Sequence, residues 1–333
     1  MPIMQTRRRF LATLSLAGAA GVVGPPPALA ARDRLETTSI RMPKAIDMCM
    51  APQYVADELL RAEGFSDIEH VEMPIDEIAH AVGSGRVDLS LSYVSQFLTK
   101  IDGGEPVTLL AGVMVGCIEV FAQEGIHGIA ELRGKRIGVP KLGAPNPHGL
   151  VSAMLAHVGL DPAKDVEWVA DAHRVQLFIE GKVDAIEMVP PGSQELHARH
   201  IGHVIVNNAV DRPWSDYFCC MLGANREFVR NNPVAAKRAL RAIFKATDFC
   251  ASEPESAARS LVDGGYTPRY DRALQAIRDN IFNKWREYDA EDSVRFYALR
   301  LHDVGFIKSN PQKLIAENTD WRFLDELKRE LKA

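Results

Sequence analysis

The sequence predicts a two-lobed α/β protein, in which two crossover strands join the lobes and helices near the C-terminal end wrap back over the first lobe. Three observations predict this fold. Strands and helices alternate through most of the chain, one short pattern recurs at the equivalent place in each half, and the last third reads as helices. Strands that alternate with helices form parallel sheets covered on both faces. A chain of 333 residues is also longer than one hydrophobic core usually supports.

The start of the chain predicts a targeting segment. Residues 6–12 read Thr-Arg-Arg-Arg-Phe-Leu-Ala, a short apolar run follows, and residues 28–30 read Ala-Leu-Ala. This order is typical of a Tat-type signal peptide, so we assign residues 1–30 to one. The apolar run is too short to span a bilayer, and no cysteine adjoins the cleavage site. We therefore expect an exported, soluble periplasmic protein without a lipid anchor; a basic N-terminus on a cytoplasmic protein is the alternative.

Charge and cysteine content exclude several classes of partner. The formal net charge is −5, and loss of a leader with three arginines and no acidic residue makes the mature chain more acidic. Nucleic acid and anionic membranes are therefore poor partners. The five cysteines form no Cys-x-x-Cys motif, so no zinc or redox motif and no cofactor is predicted. One internal disulfide is compatible with export, and buried small side chains are the alternative.

The first half contains four predicted strands, at 45–50, 68–71, 87–92 and 107–112, separated by helices at 52–63, 76–82 and 94–101. The next apolar segment, residues 117–122, has no helix before it. We interpret it as the first crossover strand. The first lobe is predicted to comprise residues 31–116 and 224–333.

The second half begins with a strand at 137–139 and a Gly/Pro-rich loop, followed by a helix whose first turn holds Pro145 or Pro147 and whose apolar positions run from Leu150 to Val158. Strands follow at 166–169, 185–188 and 203–206, with a helix at 173–180, and 217–222 is the return crossover. The second lobe is predicted to comprise residues 117–223. The helix start after the loop offers free N–H groups, which suit an anionic or polar ligand. Beyond it, helices are predicted at 233–251, 255–262, 270–282, 291–304 and 311–315. Basic residues on the first of these are interpreted as a solvated face.

One pattern occurs in both halves. Residues 85–88 read Gly-Arg-Val-Asp and residues 181–184 read Gly-Lys-Val-Asp. Each follows a short predicted helix and leads into a strand. This internal repeat indicates the same βαβ element in each lobe. Ligands bind at the carboxyl ends of the strands in such sheets, so the cleft between the lobes is the expected site.

The chain resembles the periplasmic solute-binding proteins of ABC importers, in the branch linked to nitrate, sulfonates, taurine and thiamine-pyrimidine precursors. The resemblance is carried by Gly-Arg-Val-Asp at 85–88, Leu-Arg-Gly-Lys-Arg-Ile-Gly-Val at 132–139 and Gly-Lys-Val-Asp-Ala at 181–185. It implies a type II periplasmic-binding clamshell that captures a small organic or anionic solute and delivers it to a membrane permease with its ATPase. It also implies a monomer. Ala144 and residues 190–193 depart from the family pattern, so no solute is named.

Ten residues at strand ends and near the second crossover are the candidate ligand contacts. Asn146 and His148 suit hydrogen bonding beside the helix start, and the aromatic candidates suit stacking on a flat ligand. A helix cap, a core position or an outward-facing strand position is the alternative for several of them. They are Gln53, Tyr54, Tyr93 and Met114 in the first lobe, Asn146, His148, Glu187 and Pro190 in the second, and Trp214 and Tyr217 near the return crossover.

Two further functions stay open. Related clamshells host enzymes, including pyrimidine-synthase chemistry, although the sequence has no His-Glu-x-x-His, Gly-x-Ser-x-Gly or phosphate-loop motif. A protein that presents its ligand to a membrane receptor is the other. His197, His200 and His203 have a spacing that suggests a metal site, but they fall on different predicted elements, so no metal is predicted.

Overall fold

The computed structural model describes residues 34–45 and 48–331, so the predicted leader lies outside the described residues. Its strands are β1 Ser39–Lys44, β2 Asp67–Glu72, β3 Leu89–Tyr93, β4 Val107–Met114, β5 Glu119–Ala122, β6 Arg136–Val139, β7 Glu167–Ala170, β8 Ala185–Met188, β9 His203–Asn207 and β10 Cys220–Asn225. Its α-helices are α1 Ala51–Tyr54, α2 Asp57–Ala62, α3 Ile78–Gly83, α4 Val94–Asp102, α5 Leu150–His157, α6 Arg174–Ile179, α7 Gly192–Ala198, α8 Arg226–Asn231, α9 Pro233–Ser252, α10 Pro254–Asp263, α11 Tyr270–Asp279, α12 Ala290–Asp303, α13 Pro311–Asn318 and α14 Arg322–Glu330. Within these ranges, no helix combines the length and the apolar character needed to cross a bilayer.

The strands form three sheets. β1 pairs with β2 in parallel, and β10 lies between β3 and β4, antiparallel to both. The five-stranded sheet has the order β7-β6-β8-β5-β9, with β5 antiparallel to its two neighbours. The chain thus leaves the β3–β4 sheet after Met114 and rejoins it at Cys220. The exact lobe boundaries remain a prediction.

The repeated Gly-x-Val-Asp pattern has the same structural role in both places. The carboxylate of Asp88 accepts hydrogen bonds from the backbone N–H of Arg41, at 2.7 Å, and from its guanidinium, at 2.6 Å. Asp184 accepts the same two bonds from Arg136, at 2.8 and 2.9 Å. In both cases the aspartate N–H donates back to the arginine carbonyl. Each aspartate therefore joins the start of one strand to an arginine on the neighbouring strand, through charge-assisted bonds.

The first predicted strand, 45–50, is wrong in its position. The strand is Ser39–Lys44, and Met48–Met50 forms a helical turn, with residues 46 and 47 outside the described ranges. Ile40 and Met42 are fully buried while Ser39 and Arg41 are partly exposed, so the burial alternates as in a strand up to Met42. Polar residues and Pro43 interrupt the apolar residues of this strand, whereas the run that follows it is more continuously apolar. The prediction therefore placed the strand in the later run.

The basic residues of α9 are not a solvated face, as the sequence suggested. Arg241 and Lys245 hold the two carboxylate oxygens of Glu63 at 2.9 and 2.8 Å, and Lys237 reaches Glu330 at 2.6 Å. Glu63 lies at the end of α2, and Glu330 ends α14. The ion pairs thus tie the C-terminal helices to the start of the chain, as the predicted helical wrap requires.

Candidate functional site

A cavity of about 670 Å³ lies between α7, which follows β8 of the five-stranded sheet, and α11 of the C-terminal helices. Small-molecule pockets commonly have about 300–1,000 Å³. Gln194 of α7 hydrogen-bonds Asp279 of α11 at 3.2 Å, and Arg272 of α11 pairs with Glu195 at 3.0 Å. The five-stranded sheet region, through α7, and the C-terminal helices, through α11, therefore form the two walls of one cavity of a size that suits a small molecule.

Three residues of the cavity walls also hold buried polar atoms without a partner among the described residues. The Ser193 hydroxyl, the Gln194 side-chain oxygen and both polar atoms of the Asn280 side chain have no hydrogen-bond partner within the described part of the chain. These residues are only 1%, 5% and 6% exposed, respectively. An unpaired buried polar group costs free energy. A bound molecule with its own donors and acceptors would recover that free energy once these side chains turn toward the cavity, because the unpaired atoms are covered in the present structure.

Charged side chains at the cavity are already paired with protein groups. Glu119 accepts hydrogen bonds from Asn207 at 3.1 Å and contacts His197 at 3.0 Å. Asp279 accepts one from Gln275 at 2.7 Å in addition to that from Gln194. The free hydrogen-bonding capacity of the cavity therefore rests on neutral amide and hydroxyl groups.

A buried carboxyl lies at the strand ends of the five-stranded sheet. Glu187 of β8 is only 2% exposed, and one of its carboxyl oxygens has no partner among the described residues. Burial raises its pKa to about 7, although attraction to Arg174 and a hydrogen bond with Asn146 oppose this rise. The Arg174 Nε and the Asn146 side-chain oxygen are likewise buried and unpaired in the described structure. Arg174 and Asn146 thus lie near enough to Glu187 to affect its ionisation, and each of the three side chains holds a buried atom without a partner among the described residues.

Four cysteines gather where the chain crosses between the sheets. The sulfur atoms of Cys49, Cys117 and Cys220 all lie within 4.8 Å of one another, and Cys219 Sγ lies 3.6 Å from Cys117 Sγ. All four side chains are buried. Three thiols at this spacing offer the donor atoms that thiophilic metal ions select.

The backbone of the first crossing is held in an uncommon conformation. Gly116 has a φ of +101°, and Cys117 has a φ of +77°. A side chain at position 116 would place its Cβ 2.7 Å from the Ala209 Cβ, so only glycine fits there. A positive φ at a non-glycine residue is unusual and costs conformational energy. The crossing therefore combines backbone strain with the thiol cluster.

The structure places the first-lobe candidates in buried positions. Gln53 bridges two strands, donating to the Pro43 carbonyl at 2.9 Å and accepting from the Leu91 N–H at 2.9 Å. Tyr54 hydrogen-bonds the Ala45 backbone and stacks on another tyrosine ring. Tyr93 lies beside the thiol cluster, with its hydroxyl 3.6 Å from Cys49 Sγ, and Met114 ends β4. Their ligand contacts stay a prediction.

The second-lobe candidates separate into three places. Asn146 and Glu187 meet, as described above, and Pro190 lines the cavity. His148 Nδ1 accepts a hydrogen bond from the Gly143 N–H at 2.8 Å, and burial lowers the pKa of its imidazole. Its ring packs edge-on against Trp168, with the ring centres 4.4 Å apart. His148 thus stabilises the Gly/Pro-rich loop in the present structure.

The Gly/Pro-rich loop enters its helix later than expected. Residues Pro145–Gly149 form an irregular turn in which Asn146 is extended, and α5 begins only at Leu150. The regular helix therefore does not present its first N–H groups at the loop, and the polar capacity there comes from Asn146 instead.

The two aromatic candidates near the return crossing share a neighbour. Tyr217 stacks on Phe296 with the ring centres 3.8 Å apart, and Trp214 meets the same ring edge-on at 5.3 Å. Trp214 is buried, whereas Tyr217 is partly exposed. A contact of either ring with a ligand stays a prediction.

The three spaced histidines do not converge. His197 contacts Glu119, His203 hydrogen-bonds the Ile126 carbonyl at 2.7 Å, and His200 lies exposed at a turn with a φ of +52°.

Sequence reasoning missed Arg174, Ser193, Gln194 and Asn280. The position of Arg174 could have been recognised from the sequence, because it begins the helix that follows β7 and so lies at the carboxyl edge of the sheet. Ser193 and Gln194 begin the helix after β8 in the same way. The position of Asn280 could not have been recognised in this way, since it lies at the end of a C-terminal helix that reaches the cavity only through the tertiary fold.

Comparison with known proteins identifies relatives of two kinds. The chain is 24% identical over 276 residues to the 4-amino-5-hydroxymethyl-2-methylpyrimidine phosphate synthase THI12 of Saccharomyces cerevisiae, which covers 71% of this chain and 77% of the yeast protein. It is 28% identical over 245 residues to a protein of Brucella abortus named as a binding protein, which covers 66% of this chain and 73% of that protein.

Among solved structures, the periplasmic nitrate-binding protein NrtA from Synechocystis PCC 6803 superimposes with a TM-score of 0.72. The match covers 89% of this chain and 90% of NrtA, at 14% sequence identity. This likeness confirms the periplasmic-binding fold predicted from the sequence, in a structure that matches the solute-binding proteins of ABC importers. The sequence profile of the NMT1/THI5-like family matches residues 54–257, and the chain therefore belongs to that family.

Proposed function

We propose that the chain is an extracytoplasmic solute-binding protein, which captures a small organic or anionic solute between its lobes and delivers it to an ABC-type importer. In this proposal the mature protein acts in the periplasm as a monomer, with a membrane permease and its ATPase as partners. The observation that carries the proposal is the cavity of about 670 Å³ whose two walls hold buried, unpaired polar atoms. Such atoms are stable in a folded protein when a ligand completes their hydrogen bonds.

The fold supplies a means of capture. Two chain crossings join the sheets, so a rotation at these crossings would open and close the cavity. A solute that bonds Gln194 on one wall and Asn280 on the other stabilises the closed form, because it contacts both walls at once. Its affinity for the closed form then drives closure.

The unpaired groups favour one class of solute. Gln194 offers an acceptor, Ser193 a hydroxyl, and Asn280 both a donor and an acceptor. A bare inorganic anion such as nitrate brings acceptors alone and would leave the acceptors of Gln194 and Asn280 unpaired. The set therefore favours an organic solute that carries both donors and acceptors.

A thermal-shift screen of the mature chain tests the proposal. The panel holds nitrate, sulfonates, carboxylates, amines and pyrimidines. A true ligand at 100 times its dissociation constant adds about 2.7 kcal/mol to the free energy of unfolding, a readily measured shift. The proposal expects the shift to disappear in Gln194→Ala and in Asn280→Ala, and to persist in the control Glu124→Gln at an exposed position. A ligand whose shift is unchanged in both wall variants would overturn it.

An enzyme is the second candidate, because the yeast relative named as a pyrimidine phosphate synthase aligns with 71% of the chain. Mass spectrometry separates the two functions. The protein is incubated with its stabilising solute, and the solute is recovered after denaturation. A solute-binding protein returns the solute unchanged, whereas a synthase converts or consumes it.

A further inference from the structure

Two thiols of the cluster lie on different crossings between the sheets. Cys117 follows the end of β4 and precedes β5, and Cys219 directly precedes β10. Their sulfur atoms are 3.6 Å apart although 102 positions separate them in sequence. The crossings are therefore held side by side at this point, with a thiol on each.

We propose that Cys117 and Cys219 form a redox-active pair, which an organic disulfide oxidises to an internal disulfide that joins the two crossings. Cys117 is among the residues that line the cavity of about 670 Å³, so the cavity is the route by which a disulfide would approach this buried thiol, after a local opening of the walls. Cys219 lies behind it, against the Gly116 carbonyl. This order gives Cys117 the first step and Cys219 the second.

The chemistry is thiol–disulfide exchange. The Cys117 thiolate attacks one sulfur of the organic disulfide, forms a mixed disulfide and releases the first thiolate. The Cys219 thiolate then attacks the Cys117 sulfur, forms the Cys117–Cys219 bond and releases the second thiolate. The two cysteines together lose two electrons to the oxidant, and their two protons pass to the released thiolates.

The position of Cys219 suits its role as the second nucleophile. Its sulfur lies 3.6 Å from Cys117 Sγ, so it is next to the atom that it would attack once Cys117 carries the mixed disulfide.

Oxidation has a mechanical consequence, which rests on the proposed function. A covalent bond between the two crossings prevents them from moving apart at this point. The lobes would then be held near their present arrangement, and entry and release of the solute would be slowed. Reduction of the bond would restore opening.

Peptide mapping under non-reducing conditions tests the pair in the full chain without any solute, so its outcome is independent of the solute-binding proposal. The reduced protein is treated with oxidised glutathione, alkylated and digested. The expected product is a linked peptide pair that contains Cys117 and Cys219, with thiols lost at these two positions. The same link should form in Cys250→Ser and in Cys220→Ser, and should be absent in Cys117→Ser.

Three results would overturn the proposal. One is that thiols of the protein react with oxidised glutathione but no peptide pair linking Cys117 and Cys219 forms. Another is a link that runs through Cys220 or Cys49 in the unaltered chain. The third is a cluster that reacts only after a chelator is added, which would assign the thiols to a metal ion. Hydrogen exchange of the oxidised chain supplies a second readout, since amides of the two crossings should exchange at least about tenfold more slowly than in the reduced chain.

Discussion

Replacing Glu187 by glutamine should stabilise the protein at alkaline pH. The carboxyl is 2% exposed, and burial raises its pKa from the ordinary 4.5 to about 7. Below pH 4.5 the folded and unfolded chains both hold the proton, so the carboxyl adds no penalty. Between pH 4.5 and about 7 the unfolded chain ionises first, and the free energy of unfolding falls by about 1.4 kcal/mol per pH unit. The loss is complete above pH 7.

The magnitude follows from the width of that interval. The penalty on the wild-type chain should reach about 3 kcal/mol at pH 8, by the same conversion. Glu187→Gln has nearly the same shape and no charge, so it should be more stable than wild type by this amount at pH 8 and nearly equal to it at pH 4.5. The difference would show that a buried, ionisable group is retained at a cost to stability, as is common at functional sites.

Denaturant unfolding at pH 4.5, 6 and 8 measures this difference, with circular dichroism as the probe. Glu124→Gln, at an exposed position of the same lobe, is the matched control and should leave the unfolding free energy unchanged at each pH. The reasoning would be refuted if Glu187→Gln were equally or less stable than wild type at pH 8. It would also be refuted if the gain did not grow with pH.

Three further predictions concern the elements around the site. Asp184→Ala should lower the free energy of unfolding by about 1.5–3 kcal/mol at pH 7, because it removes charge-assisted bonds to Arg136. The Arg136 hydrogen bond is the main cause that lowers the pKa of Asp184, so the difference between variant and wild type should shrink as the pH falls below 3.8. Denaturant unfolding at several pH values measures it. Trp214→Ala should cost about 3–5 kcal/mol in the same assay, since the ring is buried, and an unchanged stability would contradict its packing role. Gly116→Ala should lower the melting temperature by several degrees, because its Cβ would collide with Ala209 and its φ is +101°; a neutral result would show that the crossing relaxes.

The sequence was sufficient for the architecture because its signals are local and repeated. Alternating strands and helices predict the sheets, and the Asp88 and Asp184 repeat marks equivalent turns that the structure shows to be equivalent clamps. The first strand was misplaced because polar side chains interrupt its apolar alternation. The basic stripe of α9 was misread because its partner, Glu63, is 178 positions away from Arg241. Spacing along one helix carries no information about such a partner.

The site was predictable only in part, for a related reason. Asn146 and Pro190 follow strands and Glu187 lies near the end of β8, and the carboxyl ends of parallel strands share an edge, so the sequence was sufficient to predict that these residues lie at that edge. The clustering of Cys49, Cys117, Cys219 and Cys220 depends on how the two crossings pack against each other and against the helical turn Met48–Met50, and no spacing in the chain encodes that. Asn280 lies near the cavity because the C-terminal helices fold back, which is again a tertiary effect.

The central claim is that one solute binds both walls of the cavity at once. Isothermal titration calorimetry with the stabilising solute tests it on three chains: wild type, Gln194→Ala on one wall and Asn280→Ala on the other. Loss of the hydrogen bonds between the solute and either side chain should weaken binding by about tenfold or more, which corresponds to about 1.4 kcal/mol. The account predicts this loss in both variants. Full affinity in either variant would contradict it, because the solute would then rest on a single wall.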